Sequence, residues 1–510
     1  MQFIKSIVLS LLLFLAIPFG LFSQTGPYSR IAFKANQTQL NMLAKHGVAI
    51  DYLSKNEDGF IGEFSKEEAS LIAKYCQESK VLIPNLEQHF LSSSSFNASK
   101  RAGLIYPVPQ GFQFGSMGGY LTYMEADSHF NVLLNKYPNL ISERDTIGLS
   151  YEGRTMYAFK VSDNPNTDED EPEVLYTALH HAREPMSLMQ MVYFLYYICE
   201  NYNSDSTIRT IVNQSEMYFV PFLNPDGYVY NQSTNPNGGG YWRKNRRLNA
   251  DSTYGVDLNR NYGFNWAANN LGSSPTPSSN TYRGTSAFSE PETKNMRDFC
   301  LSRHFESTLN YHSFGNYLIF PWGMDVNGST TPDNARYDWM ARQLSVENGF
   351  KYGTSQQTLN YYMNGCADDW MYGEQSLKSK TFSFTPELGE DTDGFWPAKD
   401  RILPLCDLTI KQNINLVLLS LDLLTVNILE QNKSRLVIFP NPSTGQIEIK
   451  SDIYKNLDIE LYDSQGRLVM RKTLPSNTPI STLQISEGIY HCVLSSKGLV
   501  VHQDNLILAH

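Results

Sequence analysis

Residues 173–188 read EVLYTALHHAREPMSL. The first seven form an apolar run of strand length, and the polar segment HHAREP, at His180 to Pro185, follows where the strand gives way to a helix. The segment sets His181 and Glu184 three residues apart, so that an imidazole and a carboxylate can face the same metal ion. Such a pair also arises often by chance, and it predicts a metal site only with support from elsewhere.

Three further apolar runs have the same character. They are MYFVPFLN, ESTLNYH and TFSFTPEL, beginning at Met217, Glu306 and Thr381, and each stops at a polar residue or turn. Between Gly119 and about Leu429, longer helical stretches separate these runs from one another. This alternation predicts an α/β domain over 115–430, with a mixed, largely parallel sheet and helices on both faces. Ligands bind beyond the carboxyl ends of such strands, so we expect the four ends to meet in one crevice.

The run ESTLNYH supplies a third candidate ligand at its end, His312. A lone histidine at a strand end is more often structural. Together with His181 and Glu184, however, it completes the His₂Glu set of a catalytic zinc site, which leaves one position open for water. We therefore expect one Zn²⁺ per chain.

Several short motifs follow one another in a specific order. After HHAREP come NPDG at Asn224, WRK at Trp242, GVDLNRN at Gly255 and YHS at Tyr311, and then FTPEL at 384–388. In these motifs and their order the sequence resembles the carboxypeptidase A/B family of zinc carboxypeptidases. The resemblance implies that family's fold and a peptidase that removes C-terminal residues.

The resemblance also assigns residues to the chemistry. Glu387 corresponds to the acid that activates the zinc-bound water, although a Glu ending an apolar strand is by itself more simply a surface carboxylate. Arg243 corresponds to the stabiliser of the oxyanion, with a rim salt bridge as the plain alternative. Asp257 is expected to accept the free N–H of a zinc-bound histidine and to fix its tautomer.

A second group of residues is expected to bind substrate. Asn259 and Arg260 suit a free α-carboxylate, because a guanidinium fork binds carboxylates well. By resemblance Tyr361 closes over the substrate, with Tyr362 beside it as the alternative register. Arg183 lines the channel.

The segment 365–370, GCADDW, resembles the floor of the family's specificity pocket. An acid at Asp368 goes, in the family, with preference for C-terminal Lys or Arg, since a buried carboxylate needs a cationic partner. The alternative is an Asp that faces solvent or caps a helix.

Composition narrows the class of protein. The 510 residues suggest several domains, and the net charge of −11 argues against nucleic acid as a partner. Residues 1–23 have the pattern of a signal peptide, with an uncleaved anchor as the alternative, and no membrane span is expected in the mature protein. The six cysteines include no C-x-x-C pair, so disulfides and buried thiols both remain open.

Two smaller domains flank the central one. Residues 24–101 predict a small α/β domain from RIAFKA, GVAIDYL, GFIGEF and the Ser-capped helix SKEEASLIAKYCQ, and it resembles the family's activation propeptides in size and position. It ends near Lys100-Arg101, in a Ser-rich stretch typical of a cleavable linker.

Residues 434–510 predict a β-sandwich. Its segments at Phe439 to Ser443 and at Gly488 to Tyr490 resemble the sorting domain of the type IX (Por) secretion system, with a generic adhesive module as the alternative. The resemblance implies contact with that secretion machinery and a location outside the cell or on its outer surface.

The whole pattern predicts a secreted zinc metallocarboxypeptidase that acts on the C-termini of peptides or proteins. Two alternatives stay open. One is a zinc peptidase or amidase on cell-wall or side-chain-linked peptides, and the other is a non-catalytic surface binding protein on the same scaffold. Retention of Asn259, Arg260 and Tyr361 favours a terminal α-carboxylate over the first.

Overall fold

The computed structural model describes residues 27–56, 59–76, 78–93, 103–324, 330–359, 361–422, 436–451, 456–463, 465–475, 478–496 and 499–509. The chain forms two compact units, 1–417 and 418–510. The predicted signal peptide and the Lys100-Arg101 pair lie outside the described residues.

The first unit opens with a small antiparallel sheet and three helices. In chain order the elements are β1 (Ser29–Lys34), α1 (Gln37–Lys45), β2 (Ser54–Asn56), β3 (Gly59–Phe64), α2 (Lys66–Tyr75), β4 (Glu78–Ile83) and α3 (Leu86–Ser93), with strand order β2-β3-β1-β4. The predicted Ser cap begins α2: Ser65 and Glu68 exchange side-chain and backbone hydrogen bonds in a capping box. We call residues 27–93 the N-terminal domain.

One expectation for this domain is wrong. The run GVAIDYL, predicted as a strand, is a buried loop that leads from α1 to β2. Two of its backbone groups form hydrogen bonds with side chains instead of with a neighbouring strand. The Ala49 N–H donates to Glu68 Oε1, and the Gly47 carbonyl accepts from Ser279 Oγ of the central domain. The apolar residues of this loop are therefore buried because the loop docks against another domain, and not because it belongs to a sheet.

The central domain contains an eight-stranded sheet with helices around it. Its helices are α4 (Tyr123–Lys136), α5 (Met186–Asn201), α6 (Ser206–Asn213), α7 (Pro225–Thr234), α8 (Pro291–Leu301), α9 (Asn334–Leu344), α10 (Ser355–Leu359), α11 (Ala367–Gly373) and α12 (Ile402–Ser420). Its strands are β5 (Asp145–Leu149), β6 (Thr155–Val161), β7 (Glu173–Thr177), β8 (Glu216–Val220), β9 (Phe305–Asn310), β10 (Tyr317–Ile319), β11 (Lys351–Gly353) and β12 (Phe382–Glu387), in the order β11-β10-β12-β9-β7-β8-β6-β5.

The four runs singled out in the sequence are the centre of this sheet. Strands β12, β9, β7 and β8 lie side by side and are parallel, whereas the pairs β10–β12, β6–β8 and β5–β6 are antiparallel. Every residue of β7 and β8 is buried, as expected when helices cover both faces of a strand. The predicted mixed, largely parallel α/β fold is confirmed.

Among the described residues, one helix is long and apolar enough to cross a membrane, at Lys399–Ser420, and 78% of its most apolar window is buried inside the protein. It includes α12. All six cysteines are buried free thiols in the structure.

The second unit consists of two antiparallel sheets. One has the order β13-β14-β17, from β13 (Leu436–Phe439), β14 (Gln446–Ser451) and β17 (Pro479–Ser481). The other has the order β16-β15-β18-β19, from β15 (Asn456–Tyr462), β16 (Leu468–Pro475), β18 (Gly488–Ser496) and β19 (Leu499–Leu508). Alternate residues of β14 and β15 share one apolar core, which confirms the predicted β-sandwich.

Candidate active site

The three predicted metal ligands meet at the carboxyl ends of β7 and β9. His181 and Glu184 lie in the turn between β7 and α5, and His312 lies two residues beyond β9. His181 Nδ1 is 2.8 Å from Glu184 Oε1, His312 Nδ1 is 2.8 Å from Glu184 Oε2, and the two Nδ1 atoms are 3.0 Å apart. The side chains are almost fully buried.

This geometry fits a zinc ion. Ligand atoms held about 2.0–2.1 Å from a tetrahedral zinc lie roughly 3.3 Å from one another, so the observed triangle needs to open by only a few tenths of an ångström. Two buried imidazole nitrogens that face each other and a carboxylate form a donor set that calls for a cation. Burial lowers the pKa of His312, which favours its neutral, metal-binding form.

Asp257 connects the metal site to a guanidinium. Its Oδ1 lies 3.2 Å from His181 Nε2, and its Oδ2 accepts from Arg243 Nε and Nη2 at 3.1 and 2.9 Å. Although burial acts to raise the pKa of Asp257, Arg243 and His181 hold it well below its usual value. The carboxylate is therefore charged, and it can fix the His181 ring with Nδ1 free for the metal.

The predicted carboxylate-binding residues follow directly in a 3₁₀ turn, Leu258–Arg260. Asn259 Oδ1 accepts from the Ala367 N–H, and its Nδ2 lies 3.3 Å from His312 Nε2. The backbone of Gly365 passes close to Arg260: a Cβ added to Gly365, at φ +68°, would lie 2.5 Å from the Arg260 carbonyl. Only glycine suits that position.

A carboxylate that the sequence analysis did not single out occupies the space between the two guanidiniums. Asp51 Oδ2, from the loop GVAIDYL, accepts from Arg243 Nη2 at 2.6 Å and from Arg260 Nη2 at 2.7 Å. Burial acts to raise the pKa of Asp51, yet Arg243 and Arg260 lower it below its usual value. One signal could have identified Asp51: it is the single charge in an otherwise apolar run.

Arg183 is fully buried, and its side-chain nitrogens have no hydrogen-bond partner among the described residues. Its guanidinium carbon lies 3.8 Å from the ring centre of Phe395 and 4.8 Å from that of Tyr52 in the N-terminal domain. Aromatic faces attract a cation, but they leave five N–H donors unused. Arg183 is thus a buried donor covered by the N-terminal domain.

Both predicted pocket residues, Tyr361 and Asp368, are buried. Tyr361 is buried, its hydroxyl donates to the Gly272 carbonyl at 3.3 Å, and its ring centre lies 6.0 Å from the Arg260 guanidinium. Asp368 is buried in the first turn of α11. Burial raises the pKa of the Asp368 carboxyl.

Glu387 ends β12 beside the third metal ligand. A backbone bridge pairs it with His312, whose carbonyl accepts from the Leu388 N–H at 2.9 Å. Burial raises the pKa of Glu387 well above its usual value, and the nearby carboxylates Glu184 and Asp51 raise it further. A carboxyl group held in this way is suited to accept and return a proton.

Two families of known proteins match segments of this chain. The family model described as "Zinc carboxypeptidase" matches residues 127–412, which is more than half of the chain. This chain belongs to the zinc carboxypeptidase family. Residues 437–508 match the family described as "Secretion system C-terminal sorting domain". The chain therefore contains a zinc carboxypeptidase enzyme domain followed by a C-terminal sorting domain for secretion.

Individual relatives agree with this assignment. The chain is 32% identical to carboxypeptidase B from Astacus astacus over 56% of its length and 91% of the relative's. It is 29% identical to a zinc carboxypeptidase from Saccharothrix mutabilis subsp. capreolus over 56% of its own length, and that match spans 65% of the relative, slightly less than two thirds.

Solved structures share the fold. Carboxypeptidase A from Helicoverpa armigera matches 76% of this chain and 96% of that one, with a TM-score of 0.62 and 22% identity. Thrombin activatable fibrinolysis inhibitor matches 78% of this chain and 100% of that one, with a TM-score of 0.61 and 22% identity. Both matches cover a larger share of the chain than residues 127–412 supply, so the shared fold extends beyond that segment.

The link through Asp257 predicts a measurable effect on metal affinity. Replacing Asp257 with Asn removes the charged acceptor of His181, and we expect zinc affinity to fall roughly 10–100-fold. Competition with a zinc-binding dye measures it. The matched control is Asp251→Asn, an exposed acid nearby, which should leave the affinity unchanged. Equal affinities in the two variants would contradict a role for Asp257 in holding His181.

Proposed function

We propose that this protein is a secreted metallocarboxypeptidase with one zinc ion per chain, and that the N-terminal domain keeps it latent. The observation that carries the proposal is the Asp51 carboxylate between Arg243 and Arg260. A carboxylate held by these two guanidiniums occupies the place that a peptide's terminal carboxylate would take. The site is thus built for such a group, and the N-terminal domain supplies an imitation of it.

Substrate binding follows from the same contacts. With Asp51 withdrawn, Arg260 and Asn259 bind the free α-carboxylate, since a guanidinium presents paired donors to the two oxygens. Arg183 gains access to the carbonyl groups of the residues upstream, because the Tyr52 ring leaves its face. Tyr361 then closes over the bound terminus. A requirement for a free α-carboxylate makes the activity that of an exopeptidase.

Each step of the proposed hydrolysis is assigned to a particular side chain. His181, Glu184 and His312 would hold the zinc ion, which when bound supplies a Lewis acid and lowers the pKa of a coordinated water toward about 7. Glu387 takes a proton from the attacking water and delivers it to the departing nitrogen. Arg243 stabilises the negative charge that develops on the carbonyl oxygen.

The specificity pocket is proposed to prefer C-terminal Lys and Arg. Asp368 Oδ2 is a buried atom without a hydrogen-bond partner, and no described lysine or arginine forms an ion pair with this residue. A buried carboxylate in this condition is costly, and a cationic substrate side chain would relieve the cost. This preference is a finer proposal than the exopeptidase activity and can fail without it.

Release of single residues tests both the exopeptidase activity and the preference for C-terminal Lys and Arg. Full-length protein, after limited trypsin, should release C-terminal Lys and Arg from blocked dipeptides, and a zinc chelator should abolish release. Asp368→Asn should lower kcat/KM for C-terminal Lys. The decrease should correspond to a loss of roughly 2–5 kcal/mol of transition-state stabilisation, the usual cost of removing one partner of a buried charge pair. Its effect on C-terminal Leu should be small. Better release of Leu by the unsubstituted protein would overturn the pocket assignment, and no release at all would favour cell-wall or side-chain-linked substrates.

The proton shuttle predicts a loss of rate without a loss of metal. Glu387→Gln keeps the shape of the side chain but cannot accept a proton, so kcat should fall about 10²–10⁴-fold or more. Zinc content should stay at one equivalent. Glu390→Gln, an exposed acid three residues on, is the control and should be unaffected. Normal turnover in Glu387→Gln would remove this residue from the mechanism.

Latency predicts activity without cleavage when the imitation carboxylate is deleted. In the uncut chain, Asp51→Ala leaves Arg243 and Arg260 free, which weakens the hold of the N-terminal domain by roughly 2–5 kcal/mol. The uncut variant should hydrolyse substrate, while the unsubstituted uncut chain should be nearly silent. Glu67→Gln changes an exposed acid of the same domain and should stay silent. A silent Asp51→Ala that trypsin activates would assign latency to other contacts.

The export route is proposed from the C-terminal unit. Residues 437–508 match a secretion sorting family, which supports delivery to the cell exterior or its outer surface by the type IX machinery. Deleting residues 434–510 should therefore leave the protein inside the cell envelope.

A further inference from the structure

The pocket floor holds a cluster of three donor groups that is separate from the zinc triad. Cys366 precedes α11, and Asp368 and Asp369 lie in its first turn. The three side chains are at most 1% exposed. Their candidate ligand atoms, one sulfur and two carboxylate oxygens, all lie within 4.8 Å of one another.

Part of this cluster is satisfied and part is not. Asp368 Oδ1 accepts from the Asp369 N–H at 3.0 Å, and Asp369 Oδ1 accepts from the Gly323 N–H at 2.8 Å. The second oxygens, Asp368 Oδ2 and Asp369 Oδ2, are buried without a hydrogen-bond partner. The Cys366 thiol interacts with both carboxyl groups, and among the described residues no lysine or arginine pairs with either. The two buried second oxygens therefore lie beside a thiol and have no basic side chain paired with them.

We propose that Cys366, Asp368 and Asp369 form a binding site for a thiophilic divalent cation, Zn²⁺ or Cd²⁺. A sulfur ligand selects borderline and soft metals, whereas Ca²⁺ and Mg²⁺ require six or more oxygen ligands that this cluster does not offer. Three protein ligands from one chain segment also leave a fourth position open. A bound cation balances the two carboxylates, and the thiol loses its proton to the solvent on binding.

The consequence for activity rests on the proposed function. Asp368 is also the proposed partner of a substrate's cationic side chain, so the metal and that side chain exclude each other. Occupancy should raise KM for C-terminal Lys, because the charge that attracts the ammonium group is already neutralised. A small terminal residue such as Ala does not reach the floor, and its KM should change little.

Cadmium titration tests the site directly. Trypsin-treated full chain carrying one zinc equivalent is titrated with Cd²⁺, and bound metal is counted after desalting. We expect one additional equivalent, together with the ultraviolet absorption band of a cadmium–thiolate bond. Cys366→Ala should lose both the band and the additional equivalent while keeping the first zinc, which shows that it has folded. Cys300→Ala, a buried thiol in α8 outside any such cluster, should behave like the unsubstituted protein.

A second variant covers the carboxylates. Asp368→Asn should bind the additional cadmium about tenfold more weakly or worse, since it removes one of the three ligands. No additional equivalent in the unsubstituted protein, or an equal band in Cys366→Ala, would overturn the site. Release of C-terminal Lys measured on the same samples separates the two proposals: release without a band refutes the cation site alone, and a band without release refutes the peptidase function alone.

Discussion

The carboxylate of Asp257 is the contact on which the rest of the site depends. One oxygen lies 3.2 Å from His181 Nε2, and the other accepts two hydrogen bonds from Arg243. The same side chain caps the turn that begins with Leu258 by accepting from the Asn259 N–H at 3.0 Å. One buried charge thus orients the proposed metal ligand His181, the proposed oxyanion stabiliser Arg243 and the turn that carries Arg260. Its own ionisation is secured by the cations it orients.

Charge balance is the physical basis of the proposed latency. Buried guanidiniums need anions, and Asp51 supplies one from a different domain. A substrate terminus would supply the same charge in the same place. In the proposed latent form the N-terminal domain therefore stabilises the two guanidiniums by charge, and its removal would leave two cations ready for a carboxylate. Arg183 is a further buried guanidinium, and aromatic rings cover its donors.

The sequence predicts the centre of the fold because buried parallel strands are continuous apolar runs, and because ligands follow such strands at their carboxyl ends. His181, Glu184 and His312 could be identified by that rule. The sequence marks Asp51 only as the single charge in an apolar run; its role could not be predicted, since its partners lie 192 and 209 residues away and local pattern carries no record of domain docking. The sequence predicts a strand in the loop around Asp51 for the same reason: its apolar residues are buried by another domain, and this burial produces an apolar run like that of a strand.

The proposed zinc site and the Asp51 carboxylate that fills the space beside it can be tested in one experiment. We would determine a crystal structure of the uncut full chain, without added metal, and record anomalous diffraction on both sides of the zinc edge. We expect a zinc peak bounded by His181 Nδ1, His312 Nδ1 and the Glu184 carboxylate, with Asp51 still between the two guanidiniums. The absence of a zinc peak at this triad, or an Asp51 side chain away from Arg243 and Arg260, would contradict the proposal.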